Sequence, residues 1–189
     1  MKIVIINGSA RKGNILTAIN AFMKGAADRN AIEVIQPDKL HISPCKSIEE
    51  NRYTTEKVYV NYQNIKPCLG CNVCQKTGKC VIKDDGVNEF VEKAKTADGF
   101  VFATPVYWWG MSAQLKQVID KCYCRGMQLK GKKAGVIVAG GSPVDNIQYE
   151  LIRKQFECMA GYLSWDMLFQ KSYYATDRDE LAKNTAAIV

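Results

Sequence analysis

The chain has 189 residues, 47% of them apolar and 24% charged, a globular balance that suits one domain over residues 1–189 and excludes a disordered chain. Its net charge of +7 comes from scattered lysines and arginines with no interleaved aromatics, which predicts a solvated basic surface with some pull on phosphorylated ligands and argues against a nucleic-acid partner. No stretch approaches the roughly 18 apolar residues of a membrane span, and the short apolar run at Ile3–Ile6 is a first strand rather than a signal peptide, so a cytoplasmic protein with no membrane contact is expected.

Ile3-Val4-Ile5-Ile6 is a continuous apolar run that ends at Asn7-Gly8-Ser9. Continuous runs, unlike alternating ones, mark strands covered on both faces, as in a parallel sheet. From Asn14 a helical spacing follows, with Ile15, Ile19, Phe22, Met23 and Ala26 on one side. Ile32–Ile35 reads as a second strand. The segment 37–65 is longer than a usual connection, and Val58-Tyr59-Val60 is a candidate extra strand within it. The phrases Ile42-Ser43-Pro44-Cys45 and Ile65-Lys66-Pro67-Cys68 are alike, which reads as coincidence rather than a repeat. From Gly86 a second helix carries Val87, Phe90, Val91, Ala94 and Ala97, with Asp84 or Asp85 placed to cap it.

Phe100–Ala103 is a third strand, ending at Thr104-Pro105. After Gly110, the spacing of Leu115, Val118, Ile119 and Cys122 predicts a third helix. Val136–Ala139 is a fourth strand and ends at Gly140-Gly141. Ser142-Pro143-Val144-Asp145 reads as an N-cap, a first-turn proline and an acid that open a helix through Leu151, Ile152, Phe156 and Met159. Trp165–Lys171 is a fifth strand, and Thr176 with Asp179 caps a last helix to about Ala187. Strand–helix alternation of this kind predicts a doubly wound, three-layer α/β domain.

Eight cysteines without an export signal read as metal or redox chemistry before disulfides. Four of them, Cys68, Cys71, Cys74 and Cys80, form C-x2-C-x2-C-x5-C in a loop at 67–85, with a turn at Gly78. Three readings stay open for this loop. A [4Fe–4S] cluster suits compact four-thiolate spacing. Zinc more often takes two separated C-x2-C pairs. An empty thiol loop, kept for packing or as a redox-active pair, is the third. Cys45, Cys122, Cys124 and Cys158 read as buried fillers, and the lone His41 as a surface or packing residue.

In an open parallel sheet, ligands sit beyond the carboxyl ends of the strands, at the point where strand order reverses. The first such end, Gly8-Ser9-Ala10-Arg11-Lys12-Gly13-Asn14, leads into a helix and combines turn-permitting glycines, side-chain donors and helix amides, the parts of a phosphate cradle. It is neither a P-loop nor G-x-G-x-x-G. The third strand runs into Thr104-Pro105-Val106-Tyr107-Trp108-Trp109-Gly110-Met111-Ser112, where adjacent aromatics either wall a planar ligand or pack against another subunit. Gly140-Gly141 lets a ligand approach backbone closely. A phosphate site, an aromatic wall and a glycine floor on one sheet edge match the parts of flavin mononucleotide.

The stretches Gly8–Asn14, Thr104–Trp108 and Ser112-Ala113-Gln114-Leu115-Lys116 resemble the motifs of flavodoxin-like, NAD(P)H-dependent FMN reductases. The run Cys68–Cys80, followed by Val81-Ile82-Lys83-Asp84-Asp85, resembles the iron–sulfur flavoprotein branch of that family. The resemblance spans about residues 1–170 and implies a five-stranded sheet of order 2-1-3-4-5, bound FMN, and homodimers or homotetramers. Carried over, it places Ser9, Arg11, Lys12, Gly13 and Asn14 at the phosphate. Pro105, Val106, Tyr107, Trp108, Trp109 and Gly110 line the ring and ribityl chain, and Gly140 and Gly141 lie near the ring. The family usually has a Ser or Thr directly after the Asn; Ile15 stands there, and Thr17 is the nearest hydroxyl. The implied activity is oxidoreduction from NAD(P)H through FMN to a quinone, flavin or other small acceptor, with no catalytic acid–base side chain. The alternatives are an electron carrier or redox sensor that uses FMN and a [4Fe–4S] cluster, and a nucleotide-binding regulator.

Overall fold

A computed structural model describes residues 2–9, 11–26, 31–35, 65–83 and 85–184. The expectations for 37–64, including Val58–Val60, His41 and Cys45, lie outside these residues, as does the helix end near Ala187. Among the described residues no helix is long and apolar enough to cross a membrane.

Five parallel strands form the sheet: β1 (Lys2–Asn7), β2 (Ala31–Ile35), β3 (Gly99–Tyr107), β5 (Lys133–Gly140) and β6 (Asp166–Tyr174). A two-residue strand, β4 (Gly110–Met111), folds back antiparallel on β3. The order β2-β1-β3-β5-β6 is the expected 2-1-3-4-5 once the hairpin strand is set aside. It reverses between β1 and β3, which pair from Ile3↔Gly99 to Asn7↔Ala103. The continuous apolar runs have the predicted cause. Val4 and Ile6 pack on one face of the sheet with Phe100, Phe102, Val136 and Val138. Ile5, Val101, Ala103, Ile137 and Ala139 pack on the other. Both faces are dry, so both side-chain sets must be apolar.

Helix α1 (Asn14–Ala26) covers one face through Ile15, Ala18 and Ile19, joined by Leu181 of α6 (Glu180–Lys183). The other face is covered by α3 (Val87–Thr96), α4 (Ala113–Cys122), a 3-10 segment (Tyr123–Leu129) and α5 (Ile147–Leu163). A short helix, α2 (Val73–Thr77), lies within the cysteine loop.

Several boundaries differ from the sequence reading: β5 starts at Lys133 rather than Val136, and β6 runs to Tyr174 rather than Lys171. β3 runs on through Pro105 to Tyr107. Its β1 partner has ended at Asn7, so the missing proline donor leaves no ladder bond unmade on that side. α5 begins after an Asn146 cap, whose side chain accepts from Gln148 N at 3.1 Å, rather than at Ser142. The Ser142 carbonyl instead receives the Tyr149 hydroxyl at 2.7 Å, which holds this stretch outside the helix. Asp85 does not cap α3: Gly86 is the N-cap, in left-handed conformation, and Asp85 is turned into the interior.

One side chain ties the strand ends together. Ser112, fully buried, caps α4 by accepting from Leu115 N at 3.2 Å and donates to the Gly8 carbonyl at 2.6 Å. Its own amide donates to Thr104 Oγ1 at 2.9 Å. Ser112→Ala therefore removes a helix cap and orphans a buried carbonyl. A loss of about 2 kcal/mol in urea unfolding is expected, with the slope unchanged.

Candidate functional site

The loop after β1 is built from short-range polar contacts. Asn7 is buried, and its Oδ1 accepts from Ser9 N at 2.9 Å. Ser9 Oγ in turn accepts from Arg11 N at 3.2 Å, and Gly8 N donates to Ala103 O at 2.6 Å. Among the described residues, Asn7 Nδ2 has no hydrogen-bond partner although it is buried. Arg11 and Lys12 are exposed. The first amides of α1 have no carbonyl within the helix to receive them, and its first turn carries no acidic residue. Of these amides, Asn14 N donates to Arg178 O at 3.1 Å and Thr17 N to Gly13 O at 3.0 Å, so the cationic side chains meet the remaining amides of the first turn at one point, the electrostatic pattern that suits an anion.

Two of the predicted phosphate residues have structural partners. Asn14 donates from Nδ2 to Asp177 O at 2.6 Å and accepts from Leu181 N on Oδ1 at 2.9 Å, so its amide joins α1 to the chain end. Thr17 donates back to Gly13 O at 3.3 Å. Gly13 is glycine for want of room, because a Cβ there would stand 2.6 Å from Arg178 O. The contacts with residues 177–181 fix the far side of the loop, and only the fold reveals them.

The aromatic run forms a two-residue hairpin. Tyr107 pairs with Gly110 and Val106 with Met111, and Trp108 and Trp109 make the turn at φ 48° and 59°. Two positive φ values are the type I′ pattern that matches strand twist and ordinarily selects Asn-Gly. Bulky residues here are strained, and such strain gathers where geometry serves a ligand. The two rings meet edge to face at 5.2 Å, with Trp108 91% and Trp109 52% exposed.

The β5 end completes this edge. A Cβ on Gly140 would press Val106 Cγ2 at 2.8 Å and the Gln148 and Tyr149 side chains at 3.0 Å, whereas one on Gly141 would meet nothing within 4 Å. Gly140 thus packs the hairpin strand against α5, and Gly141 leaves open space beside it. The Tyr149 hydroxyl lies 2.9, 2.7 and 3.2 Å from the carbonyls of Gly140, Ser142 and Tyr173. Burial raises its phenol above the ordinary value, which keeps it a donor there.

The cysteine loop sits on the α3–α4–α5 side. Its backbone curls through left-handed Gly70, Asn72 and Gly78. Cys74 and Cys80 pack against the core, whereas Cys68 and Cys71 are exposed. None of the seven described cysteines is in a disulfide. Among the described residues, no three His, Cys, Asp or Glu side chains are gathered for a metal ion. Cys124 is buried as expected, whereas Cys122 is half-buried against the core, where desolvation, then Asp120 and Cys124, push its thiol up to about 12. Cys158 is exposed on α5, not buried, because its position faces away from the sheet.

The sequence reading missed a buried pair, Asp85 and Lys121, 3.3 Å apart. Asp85 Oδ2 also accepts from Lys66 N at 3.1 Å, and Lys121 Nζ lies 3.6 Å from Cys80 Sγ. The only signal in the sequence was a lysine on the apolar side of α4.

The profile of the NADPH-dependent FMN reductase family matches residues 1–164. The chain belongs to this family. Within the FMN reductase family, it is 41% identical over 98 residues to an iron–sulfur flavoprotein of Methanocaldococcus jannaschii, a match that covers 51% of this chain and 50% of that protein. An iron–sulfur flavoprotein of Archaeoglobus fulgidus is 36% identical over 126 residues, 65% of this chain and 62% of that protein. The chain thus spans half to less than two thirds of the length of these relatives. A solved NAD(P)H:quinone oxidoreductase from Methanothermobacter marburgensis shares the fold at a TM-score of 0.67 and 14% identity, covering 100% of this chain and 91% of that one.

The strained tryptophans generate a stability test. Trp108→Asn with Trp109→Gly relieves two unfavourable backbone positions, and the double variant is expected to unfold about 1–2 kcal/mol later in urea than the parent.

Proposed function

We propose that the chain is a single-domain, cytoplasmic, FMN-dependent oxidoreductase that draws reducing equivalents from NAD(P)H and delivers them to a small-molecule acceptor such as a quinone, a flavin or an azo compound. The observation that carries this reading is the convergence, where strand order reverses, of a cationic loop at a helix start, an exposed strained aromatic hairpin and a side-chain-free glycine. Family membership supports it, and an FMN-dependent NADH-azoreductase of Bacillus anthracis shares the fold at a TM-score of 0.62 and 14% identity. Assembly as a homodimer or homotetramer is part of the proposal, since the exposed tryptophans suit a subunit contact as well as a ligand.

The residues present fit FMN. Arg11, Lys12 and the α1 amides would hold the phosphate, with Ser9 and Asn7 shaping the loop beneath; the unpartnered Asn7 Nδ2 supplies one more buried donor. Asn14 and Thr17 would act through loop shape, given their partners. Pro105–Gly110 would line the ring, and Gly141 gives it room. FMN held here would supply hydride uptake from a nicotinamide and onward electron transfer. No acid–base side chain is required; the chain orients the ring and shields one side with aromatic surface.

The cysteine loop fits a [4Fe–4S] centre in its donor chemistry: four free thiols within thirteen residues, no disulfide among the described cysteines, and a backbone already curled by three left-handed residues. Cys68, Cys71, Cys74 and Cys80 would hold it, and the names of the archaeal relatives support this choice over zinc. A centre of this kind carries electrons singly.

Anaerobic addition of NADH or NADPH to the FMN-loaded protein tests the reading. Flavin absorbance is expected to bleach and to return when benzoquinone is added. A protein that binds no added FMN contradicts the proposal. Bleaching by reduced ferredoxin but by neither nicotinamide replaces the enzyme with an electron carrier.

A further inference from the structure

Lys121 is 2% exposed, and a lysine taken this far out of water needs compensating partners. It has two. Asp85, itself fully buried, stands 3.3 Å from the ammonium, and the Cys80 sulfur stands 3.6 Å from it. The carboxylate alone would balance the charge, so the sulfur contact is additional. The loop ends do not need it either. Lys66 N donates to Asp85, and Asn88 accepts from Cys80 N at 2.9 Å and donates to the carbonyls of Cys80 and Ile82, so the backbone is held by other bonds. What the ammonium uniquely meets is the sulfur of the last cysteine in the motif.

We propose that Lys121 donates an N–H···S hydrogen bond to Cys80 as a cluster ligand and thereby raises the reduction potential of the centre, with Asp85 tempering the effect; this rests on the iron–sulfur reading of the loop. A centre ligated by four thiolates is net negative, and reduction adds a further negative charge. A fixed ammonium beside one ligand sulfur therefore stabilises the reduced form more than the oxidised one. The surroundings limit screening. Lys121 is 2% and Asp85 0% exposed, so little water reaches the ammonium. Lys121 is thus a positioning and charge-setting residue for Cys80, and it holds no electrons or protons of its own in the reaction.

The test uses full-length protein reconstituted anaerobically with ferrous iron and sulfide. Iron and sulfide content are measured first, then the midpoint potential of the centre by dithionite titration. Lys121→Met is expected to shift the midpoint to more negative values and Asp85→Asn to more positive ones. Lys121→Arg, which keeps the charge, should stay near the parent. A purely structural pair predicts instead that both charge removals loosen the loop alike, with iron lost from each and no opposed shifts. Because Lys121→Met leaves a buried carboxylate alone, the comparison is repeated between Asp85→Asn and the double variant Asp85→Asn/Lys121→Met, where the negative shift should recur. Midpoints that do not move, or that move the same way in both single variants, overturn the inference and leave the cluster reading intact. A parent chain that takes up no iron and sulfide overturns the cluster reading itself, and this inference with it.

Discussion

The Ser112 hydroxyl, 2.6 Å from the Gly8 carbonyl, is the contact on which the site depends. It is made once by a buried side chain, yet it sets three things. It starts α4 by capping Leu115 N. It fixes the loop after β1 against the loop after β3, across the point where strand order reverses. It also anchors the return of the Trp108–Trp109 hairpin, because Met111 and Ser112 follow that turn directly. There is no room for an alternative arrangement: a Cβ on Gly8 would lie 2.7 Å from both Ser112 Oγ and Leu115 Cβ. Close backbone approach and a buried hydroxyl bridge are thus one constraint viewed from its two sides.

Around this fixed centre, order and strain are divided unevenly. Much of the interior follows ordinary rules, with apolar faces, capped helices and a buried phenol within reach of three carbonyls. Several departures sit at the edge, while Gln170 Oε1 and Ser172 Oγ of β6 are also buried without a partner among the described residues. Two tryptophans occupy backbone positions that Asn and Gly fill at lower cost, and one side-chain amide of Asn7 is buried without a partner among the described residues. Departures from local rules that cluster at one edge of a regular fold are the expected mark of a binding site. The cysteine loop forms a second unusual region on the α3–α4–α5 side, tied to the domain by the buried Asp85–Lys121 pair rather than by apolar packing alone.

Much of the architecture was legible because parallel strands leave a simple trace. Runs such as Ile3–Ile6 and Val136–Ala139 must be apolar on both sides, and glycines and polar residues mark where they end. The site was legible as far as local spacing could carry it, through Gly8–Asn14, the aromatic run and Gly140-Gly141. What stayed hidden depends on long-range partners. Asp85 two residues before a helix reads as a cap; its role as a buried ion is set by Lys121, 36 residues on. Asn14 at a helix start reads as a ligand contact; its partners lie more than 160 residues away. The start of α5 moved to Asn146 because Tyr149 captures the Ser142 carbonyl, a choice that no local propensity encodes. The type I′ turn was hidden for the opposite reason, since Trp-Trp is about the last pair that propensity would place there.

The central claim is that the Ser112-anchored loop presents Arg11 and Lys12 to the phosphate of a flavin whose ring lies along the hairpin. It is tested most directly by titrating the chain and its Arg11→Ala/Lys12→Ala variant with FMN and with riboflavin, which differ only in the phosphate. The account predicts that the variant loses roughly tenfold or more in FMN affinity, the scale of one charge-assisted contact, and leaves riboflavin binding unchanged. Equal affinity of the parent chain for FMN and riboflavin, or a variant that binds FMN as the parent does, would contradict it.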